Sequence, residues 1–126
     1  MGVEHDRGRW GEDYAAHRME STGWTILDRN WRAGHAELDL VAVRAGILAF
    51  VEVKTRSGLE SGGPLEALTW HKRRELQRAA RAWLRMRGHA AGPIESIRFD
   101  VIGVHVVKGR EPGLVHLADA WWIGDG

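Results

Sequence analysis

The plainest pattern in the chain lies in two neighbouring stretches. Ala36-Glu37-Leu38-Asp39-Leu40-Val41-Ala42-Val43 alternates in side-chain character, and Ile47-Leu48-Ala49-Phe50-Val51-Glu52-Val53-Lys54 follows after Arg44-Ala45-Gly46. β-Branched residues on either side of a short glycine-containing link predict a β-hairpin. With Ala45-Gly46 as a two-residue turn, Arg44 pairs with Ile47, and counting outward sets Asp39 opposite Glu52. Opposed residues share a face, as do residues two apart in a strand. Glu37, Asp39, Glu52 and Lys54 are therefore expected on one face, with Leu38, Leu40, Val51 and Val53 packed on the other.

Around this hairpin the pattern predicts a helix over Gly11–Met19, ended by Gly23, and a first strand from Trp24 toward Arg32. After the glycine-rich loop 57–63, Pro64 suits the first turn of a long helix reaching Arg87, where Gly88 ends it. Leu76, Ala79, Ala80, Trp83 and Leu84 form its apolar stripe. Arg74, Arg78, Arg81 and Arg85 form a second, outward stripe. Ile97–Val104 and Leu114–Trp122 are further strands. The order α-β-β-β-α-β(-β) predicts one α/β domain over residues 1–126, a mixed central sheet flanked by helices.

Composition narrows the chemistry. The 126 residues contain no cysteine, which removes disulfides, Cys-based zinc sites and thiol nucleophiles. The polar start Met1-Gly2-Val3-Glu4-His5-Asp6-Arg7 lacks the apolar core of a signal peptide, and no apolar run approaches a membrane span, so a soluble cytoplasmic protein is expected. The formal charge is only +1. However, the segment 72–89 has seven Lys/Arg against Glu75, a net +6 that leaves the rest at −5. Such asymmetry points to an anionic partner. The seven histidines are scattered without ligand spacing, and Trp121-Trp122 fits either the core or a subunit interface, so a homodimer is compatible with the sequence.

Carboxylates crowded on one sheet face repel, and burial strengthens the repulsion. A divalent cation resolves the conflict, because Mg²⁺ and Mn²⁺ take hard oxygen ligands. Asp39 and Glu52 are the expected metal ligands, with the Val53 carbonyl as a third oxygen. Lys54, two residues along from Glu52, is set to orient water and offset phosphate charge. Taken alone, Glu-x-Lys on a strand is an ordinary exposed ion pair worth about 0–1 kcal/mol. The apolar flanks of Glu52 and the partner carboxylate on the preceding strand favour a site instead.

Asp39…Glu52-Val53-Lys54 resembles the signature of the PD-(D/E)xK nuclease superfamily, which includes restriction endonucleases and archaeal Holliday-junction resolvases. More closely, the chain resembles the YraN family of small bacterial proteins, described as endonuclease candidates. Gly11-Glu12…Ala15, Asn30-Trp31-Arg32, Glu37–Ala42, Phe50–Arg56 and Arg98–Ile102 carry the likeness, with Ala36 where the family usually has glycine. The resemblance implies a restriction-endonuclease-like αβββαβ core and divalent-metal-dependent phosphodiester cleavage; the expected substrate is DNA, with branched or single-stranded repair or recombination intermediates as candidates. It carries over Asp39, Glu52 and Lys54, and it adds Glu12 as a further metal ligand. Thr55, Arg56, His71, Lys72, Arg74 and Arg78 are the expected contacts to nucleic acid, and Glu37 is a neighbour of the site. The competing expectation is a non-catalytic nucleic-acid-binding or protein-interaction module on the same fold.

Overall fold

The computed structural model describes residues 3–58 and 63–121. Helix α1 (Val3–Ser21) precedes strands β1 (Thr25–Ala33), β2 (Ala36–Arg44) and β3 (Ile47–Ser57). Helix α2 (Trp70–Arg87), β4 (Ser96–Val106) and β5 (Gly113–Trp121) follow. The strands form one five-stranded sheet in the order β1-β2-β3-β4-β5. Only the β3–β4 pair is parallel, and the helical crossover through α2 provides its connection. This is the expected mixed α/β sheet flanked by helices, in agreement with a restriction-endonuclease-like core.

The two faces of the sheet carry separate cores. On one, Ala79, Ala80 and Trp83 of α2 pack against Leu38, Val41, Leu48, Phe50 and Val101. On the other, Ala15, Ala16 and Met19 of α1 pack against Leu40, Ala42, Val51, Val53 and Ile102. The α1 core corrects one expectation. Leu38 and Leu40, two apart in a strand, belong to opposite faces, so the alternation of β2 is interrupted at Asp39 between them.

The hairpin register is as counted. Arg44 pairs with Ile47 and Leu40 with Val51, across a turn in which Ala45 and Gly46 have φ of 49° and 79°. Two consecutive positive-φ residues give the turn the twist that suits antiparallel strands. α1 ends in a Schellman motif: Gly23 has φ 97°, its N–H donates to Glu20, and the Trp24 N–H donates to Met19.

Two helix boundaries differ from expectation. α1 extends to Val3, two turns before Gly11. The single long helix from Pro64 is replaced by a 3₁₀ turn (Pro64–Ala67) and a fresh start at Trp70, where the Thr69 side chain accepts the Lys72 N–H at 3.1 Å. The N-cap offers α2 a better origin than Pro64 does. At the other end Gly88 keeps right-handed helical geometry and opens a second 3₁₀ turn (Gly88–Ala91), so the reversal falls at Gly92, φ 71°.

Candidate metal centre

Asp39 and Glu52 are both buried, at 8% and 7% exposure, although each carries a carboxylate. The local backbone explains how Asp39 is held. Arg44↔Ile47 flanks a two-residue turn, so every second pair from there exchanges backbone hydrogen bonds, and the Val53 amide is next in line to meet Leu38. The β2–β3 pairing stops at Leu40↔Val51 instead, and the Val53 N–H donates to Asp39 Oδ2 at 2.8 Å. The side chain takes the acceptor position that the departing strand gives up. By the same alternation the Val53 carbonyl faces the opening between β2 and β3.

Glu52 lies between Val51 and Val53, both in the α1 core, so its side chain projects to the α2 face. There it lines a small pocket with Leu76 and Trp121. Its Oε1 is 3.6 Å from Lys54 Nζ, while Oε2 is buried without a hydrogen-bond partner. Such an orphaned carboxylate oxygen is expensive unless something else satisfies it.

The α1 side supplies the other carboxylates. Glu12, Glu37 and Asp39 bring one oxygen each within 4.8 Å of one another. Asn30, in the left-handed region at φ 50°, donates to Glu12 Oε1 at 2.8 Å and to Glu37 Oε1 at 3.0 Å. Arg32 pairs with Glu37 Oε2 at 3.0 Å. Asn30, quoted on sequence only within a stretch that carries the family likeness, is a member of the site through its side chain. Glu37, ranked below Glu12 on sequence, belongs to the same three-carboxylate grouping. The single face expected for Glu37, Asp39, Glu52 and Lys54 is thus corrected: Glu37 and Asp39 group with Glu12 of α1, Glu52 projects to the α2 face because Val51 and Val53 fill the α1 core, and its link to Asp39 is electrostatic.

The proton affinities record the crowding. Burial, and next the Glu52 charge, push the Asp39 carboxyl up to about 8, against the pull of the Val53 N–H. Burial also raises Glu52, opposed first by Lys72 and then by Lys54. Burial raises Glu12 too, with Asn30 pulling down and Glu37 pushing up. Two buried carboxyls on adjacent strands whose charges oppose each other are the arrangement that a hard cation relieves.

The expected nucleic-acid contacts separate into groups. Thr55 lies directly under α1: a Cβ at Gly11 would come within 1.8 Å of Thr55 Oγ1, so the absence of a side chain lets the helix approach the strand. Arg56 is half-buried on the same strand end. Lys72, at the start of α2, acts on Glu52. His71 pairs along the helix with Glu75 at 3.0 Å. The Arg74 guanidinium sits 4.8 Å from the centre of the Trp70 ring, and Arg78 is exposed. Trp121 is core, stacked on Phe99 at 4.2 Å, whereas Trp122 lies outside the described residues. Among the described residues no helix is long and apolar enough to cross a membrane.

Comparison with known proteins agrees with the motifs. A UPF0102 protein of Nocardia farcinica is 44% identical over 117 residues, covering 93% of this chain and 90% of the relative. One from Rhodococcus jostii is 42% identical over 114 residues, covering 90% and 94%. One from Prosthecochloris aestuarii is 42% identical over 128 residues, covering 95% and 96%. The model of the uncharacterised protein family UPF0102 matches residues 11–104, from the glycine that meets Thr55 to near the end of β4. The chain belongs to the uncharacterised family UPF0102, that of the YraN proteins its motifs resemble.

Proposed function

We propose that this protein is a divalent-metal-dependent phosphodiesterase that hydrolyses DNA internally. The observation that carries this reading is the buried Asp39–Glu52 pair, held on adjacent strands with one carboxylate oxygen unsatisfied and a lysine beside it. The donors present suit Mg²⁺ or Mn²⁺, since Asp39, Glu12 and Glu37 bring three carboxylates within 4.8 Å of one another and the Val53 carbonyl and the charge-coupled Glu52 add further hard oxygens beside them. Such a cation supplies Lewis-acid activation of water and neutralises charge on the phosphoryl group.

The chain's own residues supply the rest. Asp39 is fixed by the Val53 N–H and Glu52 by its ion pair with Lys54. Lys54 Nζ is set to donate to a non-bridging phosphate oxygen or to orient the attacking water. Water adds to phosphorus, one P–O ester bond breaks, and the leaving oxygen takes up a proton. In this reading Thr55, Arg56, His71 and Lys72 contact the nucleic-acid backbone near the acidic centre, where Lys72 acts on Glu52, and Arg74 and Arg78 continue those contacts along α2.

The test incubates wild type, Asp39→Ala and Lys54→Ala with linear, single-stranded and four-way-junction DNA, in Mg²⁺, Mn²⁺ or EDTA. Metal-dependent cleavage by wild type alone is expected. Equal behaviour of the three proteins removes the enzyme reading.

A further inference from the structure

Both helices run antiparallel to β3, so their N-terminal parts converge on its C-terminal end. Arg7 of α1 donates to Ser57 at 2.6 Å and Gly11 lies against Thr55, while Lys72 in the first turn of α2 bears on Glu52. Each helix carries an exposed indole at that end. Trp70 opens α2 and is 65% exposed, and Trp10 on α1 is 43% exposed. They are the only aromatic side chains among the exposed large apolar residues described; Met86, Ile97 and Val115 are the others.

Each ring has an aromatic or cationic neighbour. Trp10 stacks on Tyr14 at 5.3 Å with an 8° interplanar angle. Tyr14 in turn accepts from Arg18 at 3.0 Å. Trp70 has the Arg74 guanidinium over its ring and heads the stripe that continues through Arg78, Arg81 and Arg85. Four-residue steps on a helix are about 6 Å long, so the stripe is a line of cations that leads away from a single flat ring. An aromatic face beside a cationic track suits a nucleobase and the phosphates that follow it.

We infer that Trp70 and Trp10 are stacking platforms for unpaired nucleobases on the two sides of the Asp39–Glu52–Lys54 centre, so that the substrate is nucleic acid with single-stranded character at the reacting phosphate. The inference rests on the phosphodiesterase reading for its orientation, but not for its measurement. A paired base offers no free face to the rings, whereas a frayed or unpaired one does.

The experiment measures binding by fluorescence anisotropy in EDTA, where turnover plays no part. Three labelled DNAs of one length are compared: a single strand, the same strand with abasic residues, and a blunt duplex. Stacking is worth about 1–3 kcal/mol per base, so Trp70→Ala is expected to weaken the single strand roughly 5- to 150-fold. Trp70→Phe should retain most of the affinity, and neither variant should alter binding of the abasic strand. Trp10→Ala should act in the same direction, and quenching of tryptophan emission should follow the base-bearing strand only. Arg78→Ala should weaken the base-bearing and abasic strands alike.

Equal affinity of wild type for the base-bearing and abasic strands would overturn the proposal. So would a Trp70→Ala protein that binds the single strand like wild type, or a wild type that binds no single strand at all, which would leave the rings to a protein partner. Base-dependent binding without metal-dependent cleavage would sustain the platforms and sink the phosphodiesterase reading. Cleavage without base-dependent binding would do the reverse.

Discussion

Replacing Asp39 by asparagine keeps an oxygen for the Val53 N–H and removes only the charge, which isolates the electrostatic cost of the centre. In metal-free buffer the Asp39 carboxyl is pushed up to about 8 from an ordinary 3.8. Its folded pKa is thus raised, and the native state keeps a proton that the unfolded chain has already lost. The associated stability is fully present below the unfolded value and disappears as pH rises through the folded one. One proton of difference gives a slope of about 1.4 kcal/mol per pH unit, or roughly 4 kcal/mol between about pH 5 and pH 8. Glu52, also raised, adds to the loss in the same direction. Against a total stability on the order of 5–15 kcal/mol this is a large fraction. Urea denaturation in EDTA at the two pH values should show wild type losing several kcal/mol and Asp39→Asn losing much less. At pH 8 the variant should be the more stable protein, and Mn²⁺ should raise the wild-type midpoint but not that of the variant. A wild type equally stable at both pH values, or an Asp39→Asn midpoint below wild type at pH 8, would refute the reasoning.

Other substitutions probe what holds the centre in place. Gly11→Ala drives a methyl group into Thr55 and should cost about 1–3 kcal/mol by chemical denaturation, partly recovered when Thr55→Ala is added. Asp39→Ala, unlike Asp39→Asn, leaves the Val53 N–H without an acceptor; the two variants should differ by about 1–3 kcal/mol at pH 8. Asp100 is fully buried and accepts from Arg98 at 3.0 Å and from the Asp119 N–H at 2.9 Å, with His116 Nε2 at 2.7 Å. Asp100→Ala should cost about 3–5 kcal/mol by leaving Arg98 uncompensated, which a urea titration at neutral pH would register. Burial alone would raise the Asp100 carboxyl, but bonds from His116, the Asp119 amide and Arg98 outweigh it and hold it low. Its stabilising contribution is present above the unfolded carboxylate value and is lost as pH falls through the lower folded one, so acid unfolding of Asp100→Ala should lack that limb.

The hairpin was legible because its turn leaves little freedom. Two residues between Arg44 and Ile47, one of them glycine, determine every pairing up to Leu40↔Val51 and bring Asp39 to the level of Glu52. Strict alternation then fails at Asp39, where β2 leaves β3, and no local signal separates Leu38 from Leu40. Both are leucines, and the sheet has an apolar partner for each because helices cover both faces. The break in the helix before Trp70 was visible in principle as Thr69, an N-cap residue, but Pro64 offered a competing start. Asn30 and Trp70 escaped for different reasons. Asn30 joins two carboxylates that come from different elements, which local sequence does not bring together, and the exposure of Trp70 is set by which face α2 turns toward the sheet.

The bond from Val53 to Asp39 also bears on the entropy of ligand capture. A carboxylate side chain that swings freely must surrender its rotamers when it grips a ligand, a cost of about 0.5–1.5 kcal/mol for a rotamer-rich side chain. Asp39 has surrendered them already, on folding, because one of its oxygens closes a gap in the sheet. Its other oxygen is therefore aimed before anything binds. Reach is fixed along with direction: a glutamate at position 39 would add a methylene between the backbone and the amide it must meet, and lose both the bond and the aim.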